Sequence, residues 1–180
     1  MPYRNKTYVC FDGDNDIKYY RMMQAWKDND NFNFNFYDAH DLTTIRSWSG
    51  EDTIKASLRE RMRNSNLLVV LVGEKTKNCH TYVRWEIELA GKHGMPIIAV
   101  NLNGTRQMDP ERCPAILREK LAIHIPFRER IMTHAQDNWP TNHTNLTREG
   151  KTGPYYYQES IYQQLGLGQP LPPMWFQGAR

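Results

Sequence analysis

Two short stretches of this chain hold residue types able to do chemistry: Asp12-Gly-Asp-Asn-Asp16 and Tyr82-Val-Arg-Trp-Glu-Ile87. An acid-rich turn can hold a cation, but this one is no calcium loop. Its glycine is misplaced, and Met23 stands where a bidentate glutamate is needed. Nor is it a phosphoreceiver, which needs an aspartate at the end of the third strand; Val72-Gly73 occupies that place. Asp14 and Asp16 then read as a polar turn and helix cap. Asp12, directly after the first strand, is kept as a ligand contact. In the second stretch Val83, Ile87 and Ala90 are spaced to face a core, while Tyr82 and Glu86 share a flank one turn apart. A carboxylate at Glu86, among Tyr82, Trp85 and Phe11, would suit the stabilisation of a sugar cation as a glycosidic bond breaks. An ion pair of Glu86 with Arg84 or Lys92, or simple solvation, is the plainer alternative, and pattern alone favours it.

Other chemistries find no support. Neither GxxxxGK[ST] nor GxGxxG occurs, so no conventional phosphate cradle is expected. The six histidines do not pair at metal spacing, and His40 reads as a surface residue. Cys10, Cys79 and Cys113 form no CxxC pair, so neither a zinc site nor a disulfide framework is expected. Serine and cysteine nucleophiles lack a visible base. A net charge of +3 calls for neither nucleic acid nor an anionic membrane as partner. Residues 1–10 lack the apolar run of a signal peptide, and Leu67–Val72 is far too short to cross a bilayer. A soluble, cytoplasmic protein is the expectation.

These residues must be positioned by an alternating scaffold. Thr7–Phe11, Leu67–Val72, Met95–Val100 and Leu121–Phe127 read as buried strands; Phe32, Phe34 and Phe36 alternate with Asn as an edge strand would. Helices are expected after Asp16, after Ser49-Gly, near His80–His93, around Pro110–Lys120, and from Phe127 to about Asn138. Asn142–Gly153 reads as a loop, Tyr155–Leu165 as a last helix, and GQPLPPMWFQGAR as a tail. Such alternation means an α/β fold, with five parallel strands and helices on both faces. The boundaries follow as an α/β domain over 1–138 and a C-terminal extension over 139–180. Ligands of such sheets bind outside the carboxyl ends of the strands, at Phe11–Asn15, Tyr37–Ser49, Gly73–His80 and Asn101–Gln107.

The string VCFDGDND, FNFYDAHD, RMRNSNLLVVLVGEKT, VRWEIELA and GMPIIAVNLNG resembles the bacterial TIR-like proteins, among them the signalling subunit of the Thoeris anti-phage system. The resemblance runs over roughly residues 7–104, and LVVLVGEKT with VRWEIE is its most specific piece. It implies a flavodoxin-like five-stranded sheet and cleavage of NAD at the nicotinamide–ribose bond, with ADP-ribose passed into a nucleotide signal. NAD is then substrate, and no cofactor or metal is implied. The catalytic glutamate falls on Glu86, and the first-strand site residues fall on Cys10, Phe11 and Asp12. Tyr82 stands where the family's WxxxE arrangement has Trp, and Cys10 where Ser is usual. The resemblance further implies packing of nicotinamide or ribose by Phe11 and Trp48, and a pyrophosphate contact from Arg84 or Arg46. It implies as partners a phage-derived trigger, a second copy of the chain and an effector sensing the product, without nucleic acid or membrane. Two alternatives stay open: a non-catalytic interaction module, with the Asp41–Gly50 loop as its surface, and a nucleoside deoxyribosyltransferase-like enzyme.

Overall fold

The computed structural model describes residues 6–31, 34, 36–38, 50–79 and 81–168. Their elements run β1 (Lys6–Cys10), α1 (Ile17–Lys27), β2 (Tyr37–Asp38), α2 (Glu51–Arg63), β3 (Leu67–Val72), α3 (Tyr82–Lys92), β4 (Ile97–Asn101), α4 (Ala115–Arg118), β5 (Ala122–Pro126), α5 (Glu129–Arg148), β6 (Pro154–Tyr156) and α6 (Glu159–Gln164). The strands form one parallel sheet in the order β2-β1-β3-β4-β5-β6. The five expected parallel strands with flanking helices are present, and a sixth is added at the edge.

Strand alternation divides the core into two layers. Val9, Phe11, Leu67, Val69 and Leu71 join α1 and α5 in one. Tyr8, Cys10, Leu68, Val70 and Val72 join α2 and α3 in the other. Every residue of β3 is buried, which explains its unbroken LLVVLV run. Each such side chain contributes on the order of 1.5–3 kcal/mol by leaving water. The order in which strands are added reverses beside β1: its first connection leads outward to β2, whereas β3, β4 and β5 build away on the other side. The carboxyl ends of β1 and β3 therefore border the crevice where connections diverge.

Three local expectations are corrected. Of the Phe/Asn alternation, the described Phe34 and Phe36 lie outside a strand and are buried against Trp26 and Tyr20 of α1, and β2 is Tyr37–Asp38. The fifth helix does not end near Asn138 but continues through Pro140 to Arg148. Its buried stripe, with Ala135, Trp139 and His143, continues past the proline, and tertiary packing offsets the missing backbone donor. Tyr155 does not begin a helix; Pro154–Tyr156 pairs with the free edge of β5, as three successive tyrosines suit a pleated edge. Residues 139–168 thus supply an edge strand to the sheet and Trp139 and Tyr162 to the core. Expectations for residues 1–5, His40, the loop over 41–49 and the tail from 169 lie outside the described residues, as do those for Phe32 and His80. Among the described residues no helix is long and apolar enough to cross a membrane.

Candidate functional site

At the carboxyl ends of β1 and β3 the turn after β1 meets the entry to α3 around a cleft of about 230 Å³. Phe11, Asp12, Asp14, Cys79, Tyr82 and Val83 are among its walls. A larger hollow of about 440 Å³ lies at the other end of the sheet, by Ser65, Asn66, Met95 and Pro96. We place the site at the smaller one, because in open parallel sheets the carboxyl edge gathers the loops that diverge.

Glu86 lies beneath this cleft. It is 2% exposed and belongs to the buried stripe Val83, Glu86, Ile87 and Ala90, rather than to a separate flank with Tyr82. The spacing i, i+3, i+4, i+7 explains why: the carboxylate occupies a core position of α3. It is absent from the described walls of the cleft, to which α3 contributes Tyr82 and Val83. By helical rise it sits one turn deeper, about 5 Å. The Tyr8 hydroxyl donates to Glu86 Oε1 at 2.8 Å across the layer between β1 and α3. A buried carboxylate would be very unfavourable without such a donor. Burial and the adjacent Glu86 charge push the Tyr8 phenol well above its usual pKa, so Tyr8 is a donor at any physiological pH.

The acidic turn is internally braced. Asp12 Oδ1 accepts from the backbone N–H of Asp14 at 3.1 Å, and its Oδ2 accepts from Asn15 Nδ2 at 2.6 Å. Asp16 does not cap α1 with its side chain, contrary to expectation. Its carboxylate instead turns inward, where Thr76 Oγ1 donates to it at 3.4 Å and accepts from the Gly73 N–H at 2.8 Å. A Cβ on Gly73 would collide with that carboxylate, so glycine here leaves room for the Asp16 side chain to turn inward. Burial and the neighbouring Asp12 raise the pKa of Asp16. Burial and the Asp12 carboxylate push the Cys79 thiol up to about 11, which leaves it unreactive at neutral pH.

The remaining expected site residues divide clearly. Phe11, Asp12 and Tyr82 line the cleft, although the Phe11 ring also stacks on Tyr20 at 5.0 Å. Cys10 is fully buried beneath it. Arg84 turns outward, two residues and about 200° around the helix from Glu86, and its Nε pairs with Glu88 at 3.1 Å. That geometry removes both the expected Arg84–Glu86 pair and an Arg84 contact within the cleft. Trp85 packs under Arg59 of α2, 5.4 Å from guanidinium to ring centroid, rather than walling the site. Arg46 and Trp48 lie outside the described residues. A second cleft of about 190 Å³, beyond the Asp16–Thr76 contact, is lined by Lys18, Lys75 and Arg112 among others.

Sequence reasoning missed Tyr8, Thr76 and these basic groups. Tyr8 left a signal, since it stands two residues before Cys10 and so shares its face of the sheet. Thr76 left none for its contact with Asp16, which is 60 residues away and follows another strand. Among the described residues no three metal-ligating side chains converge.

The family model for the TIR-like domain of Thoeris protein ThsB matches residues 8–107, more than half of the 180-residue chain. No curated protein matches the chain. Among solved structures, the chain is similar to the TIR domains of the activated Roq1 resistosome directly recognizing the pathogen effector XopQ. The identity is 15%, over 57% of this chain and 60% of that one, with a TM-score of 0.40. It thus spans less than two thirds of that resistosome chain. A conserved protein from Enterococcus faecalis V583 is 15% identical over 91% of this chain and 98% of its own, with a TM-score of 0.46.

Proposed function

Because the chain belongs to the ThsB TIR-like domain family of Thoeris proteins, we propose that it cleaves NAD at the nicotinamide–ribose bond and makes a nucleotide signal in anti-phage defence. The observation that carries this reading is the buried, hydrogen-bonded carboxylate of Glu86, one turn beneath a cleft at the carboxyl edge of the sheet.

In the proposed reaction the C1′–N bond breaks and nicotinamide leaves with the bonding pair, becoming neutral. Positive charge then spreads over ribose C1′ and its ring oxygen. Glu86 is the anion that stabilises it, and low dielectric around the carboxylate strengthens the attraction. Water adding at C1′ releases a proton and gives ADP-ribose; a nucleophile of the substrate itself gives a cyclic product. Phe11 and Tyr82 offer aromatic surface to nicotinamide or ribose. Lys18, Lys75 and Arg112 offer charge to the pyrophosphate in the role first expected of Arg84. Arg46 and Trp48 retain their proposed parts, as do self-association, a phage-derived trigger and an effector that senses the product. The burial of Glu86 in the chain alone accords with a need for such a trigger, since substrate contact requires α3 or the β1–α1 turn to shift.

The test is nicotinamide release from NAD, with and without lysate of phage-infected cells, by wild type and Glu86→Gln. We expect triggered release by wild type and a loss of at least about 100-fold in the variant, the scale of removing one charge-stabilising group. Equal rates would take Glu86 out of the mechanism. One observation favours a second reading, the non-catalytic module: Glu86 does not line the cleft in this structure. That reading predicts no turnover with any trigger.

A further inference from the structure

We infer that Tyr8 is a positioning residue for the Glu86 carboxylate, holding it ionised and in one rotamer for the cleavage step. This rests on the reading of Glu86 given above and adds a residue to it. Tyr8 is wholly buried on β1, and Glu86 is 2% exposed on α3. Their hydroxyl–carboxylate contact of 2.8 Å joins positions 78 residues apart. Because Tyr8 comes from a central strand, with β2 on one side and β3 on the other, its hydroxyl is fixed by the sheet rather than by a loop. A strand-borne donor fixes a catalytic group more tightly than a loop can.

The chemistry favours the ionised form. A phenol donating to a carboxylate stabilises the charge and not the protonated acid, so the bond opposes the desolvation that otherwise favours protonation. Other groups face the same pocket of the core. Cys10 follows on the same side of β1, and Arg61 reaches from α2, its positive charge acting on Tyr8 in the opposite sense to Glu86. Arg61 lends the pair charge balance, but the aromatic hydroxyl sets the direction of one carboxylate oxygen. The tyrosine ring alone would suffice for packing; phenylalanine would fill that space. The hydroxyl is what the carboxylate needs.

Two measurements test this on the full chain. In the first, kcat, KM and the pH profile of triggered NAD cleavage are compared for wild type and Tyr8→Phe. We expect kcat to fall about tenfold or more with KM little changed, the usual scale for a hydrogen bond to a charged group. The acid limb of the profile should move up by about one pH unit, since the carboxylate loses its donor and binds a proton more readily. A merely structural tyrosine would lower stability and leave the pH profile in place. The second needs no cleavage and no substitution of Tyr8: the phenol is titrated by carbon-13 NMR in wild type and Glu86→Gln. We expect Tyr8 to ionise at lower pH once the neighbouring negative charge is gone. An unchanged titration overturns the inference even if NAD is cleaved. Turnover that depends on Glu86 but keeps its kcat and pH profile in Tyr8→Phe also overturns it, and leaves the proposed function standing. Absence of turnover in triggered wild type removes both.

Discussion

Buried polar groups are treated in opposite ways in two regions of this molecule. Around the carboxyl edge of β1 and β3 they meet each other: Tyr8 with Glu86, Thr76 with Asp16 and the Gly73 N–H, Asp12 with its own turn. Under α5, β6 and α6 the enclosed Trp139 Nε1, Gln136 Nε2, Tyr157 hydroxyl and Tyr162 hydroxyl have no hydrogen-bond partner among the described residues, and both ring nitrogens of His124 in β5 likewise lack one. The second region is held by apolar and aromatic packing, with Trp139 among Tyr155, His143 and the α5 stripe. Each unpaired polar atom there costs free energy because water cannot reach it, and the dispersion and apolar burial of the large rings offset that cost. The carboxylates of the crevice are paired, since a carboxylate left unpaired in the interior would be far less favourable than an unpaired indole N–H. Directed hydrogen bonds mark the region that holds the buried carboxylates.

Four experiments probe this contrast. The largest effect is expected from Trp139→Ala, which empties the centre of the packed region. It should lower stability by about 4 kcal/mol and the Tm by roughly 10 °C. A Tm within two or three degrees of wild type would show that α5 does not carry the C-terminal packing.

Acid should find the same region next. Burial lowers the His124 pKa from 6.5 to about 4. The unfolded chain therefore takes up this proton first; stability is whole above pH 6.5 and declines as pH falls toward 4. The full loss is about 3 kcal/mol, at about 1.4 kcal/mol for each pH unit between the folded and unfolded values. His134 and His143 are displaced in the same direction, whereas the raised pKa of Asp16 acts in the opposite sense. Urea midpoints at pH 7 and pH 4.5 should differ markedly in wild type and much less in His124→Leu. Equal differences would remove His124 as a source of acid sensitivity.

In the crevice the effects are smaller on stability and sharper on geometry. Gly73→Ala forces a methyl group into the Asp16 carboxylate and should cost about 2 kcal/mol, within the range for overpacking. Thermal melts of Gly73→Ala alone and with Asp16→Ala decide it: the second change should restore most of the loss. Smallest is Thr76→Val, which keeps the shape and removes the hydroxyl between Gly73 and Asp16. About 1 kcal/mol should be lost, together with hydrogen-exchange protection of the Gly73 amide. An amide as protected as in wild type would mean that Thr76 is not its partner.

Much of the scaffold is legible in the residues themselves. LLVVLV, short, apolar and β-branched, reads as a strand buried on both faces, and the alternation of such runs with amphipathic segments sets a parallel sheet and locates its carboxyl edge. Phe11, Asp12, Tyr82 and the region of Glu86 follow from that edge, because strand and helix periods are local properties. What sequence spacing assigns poorly is direction. It places Glu86 on a polar flank, since a carboxylate is ordinarily kept out of an apolar stripe; the approach of Tyr8 from β1 gives the buried carboxylate a donor that no local pattern foretells. Asp16 reads as a helix cap until Thr76, from the loop after β3, draws its carboxylate inward. Pro140 reads as lying beyond a helix end until the packing of Trp139 and His143 outweighs one missing donor. Composition and period thus determine which elements form and which edge they expose. The partners of buried polar groups are decided by chain segments distant in sequence, because a hydrogen bond depends on where two atoms meet in space and period carries no record of that.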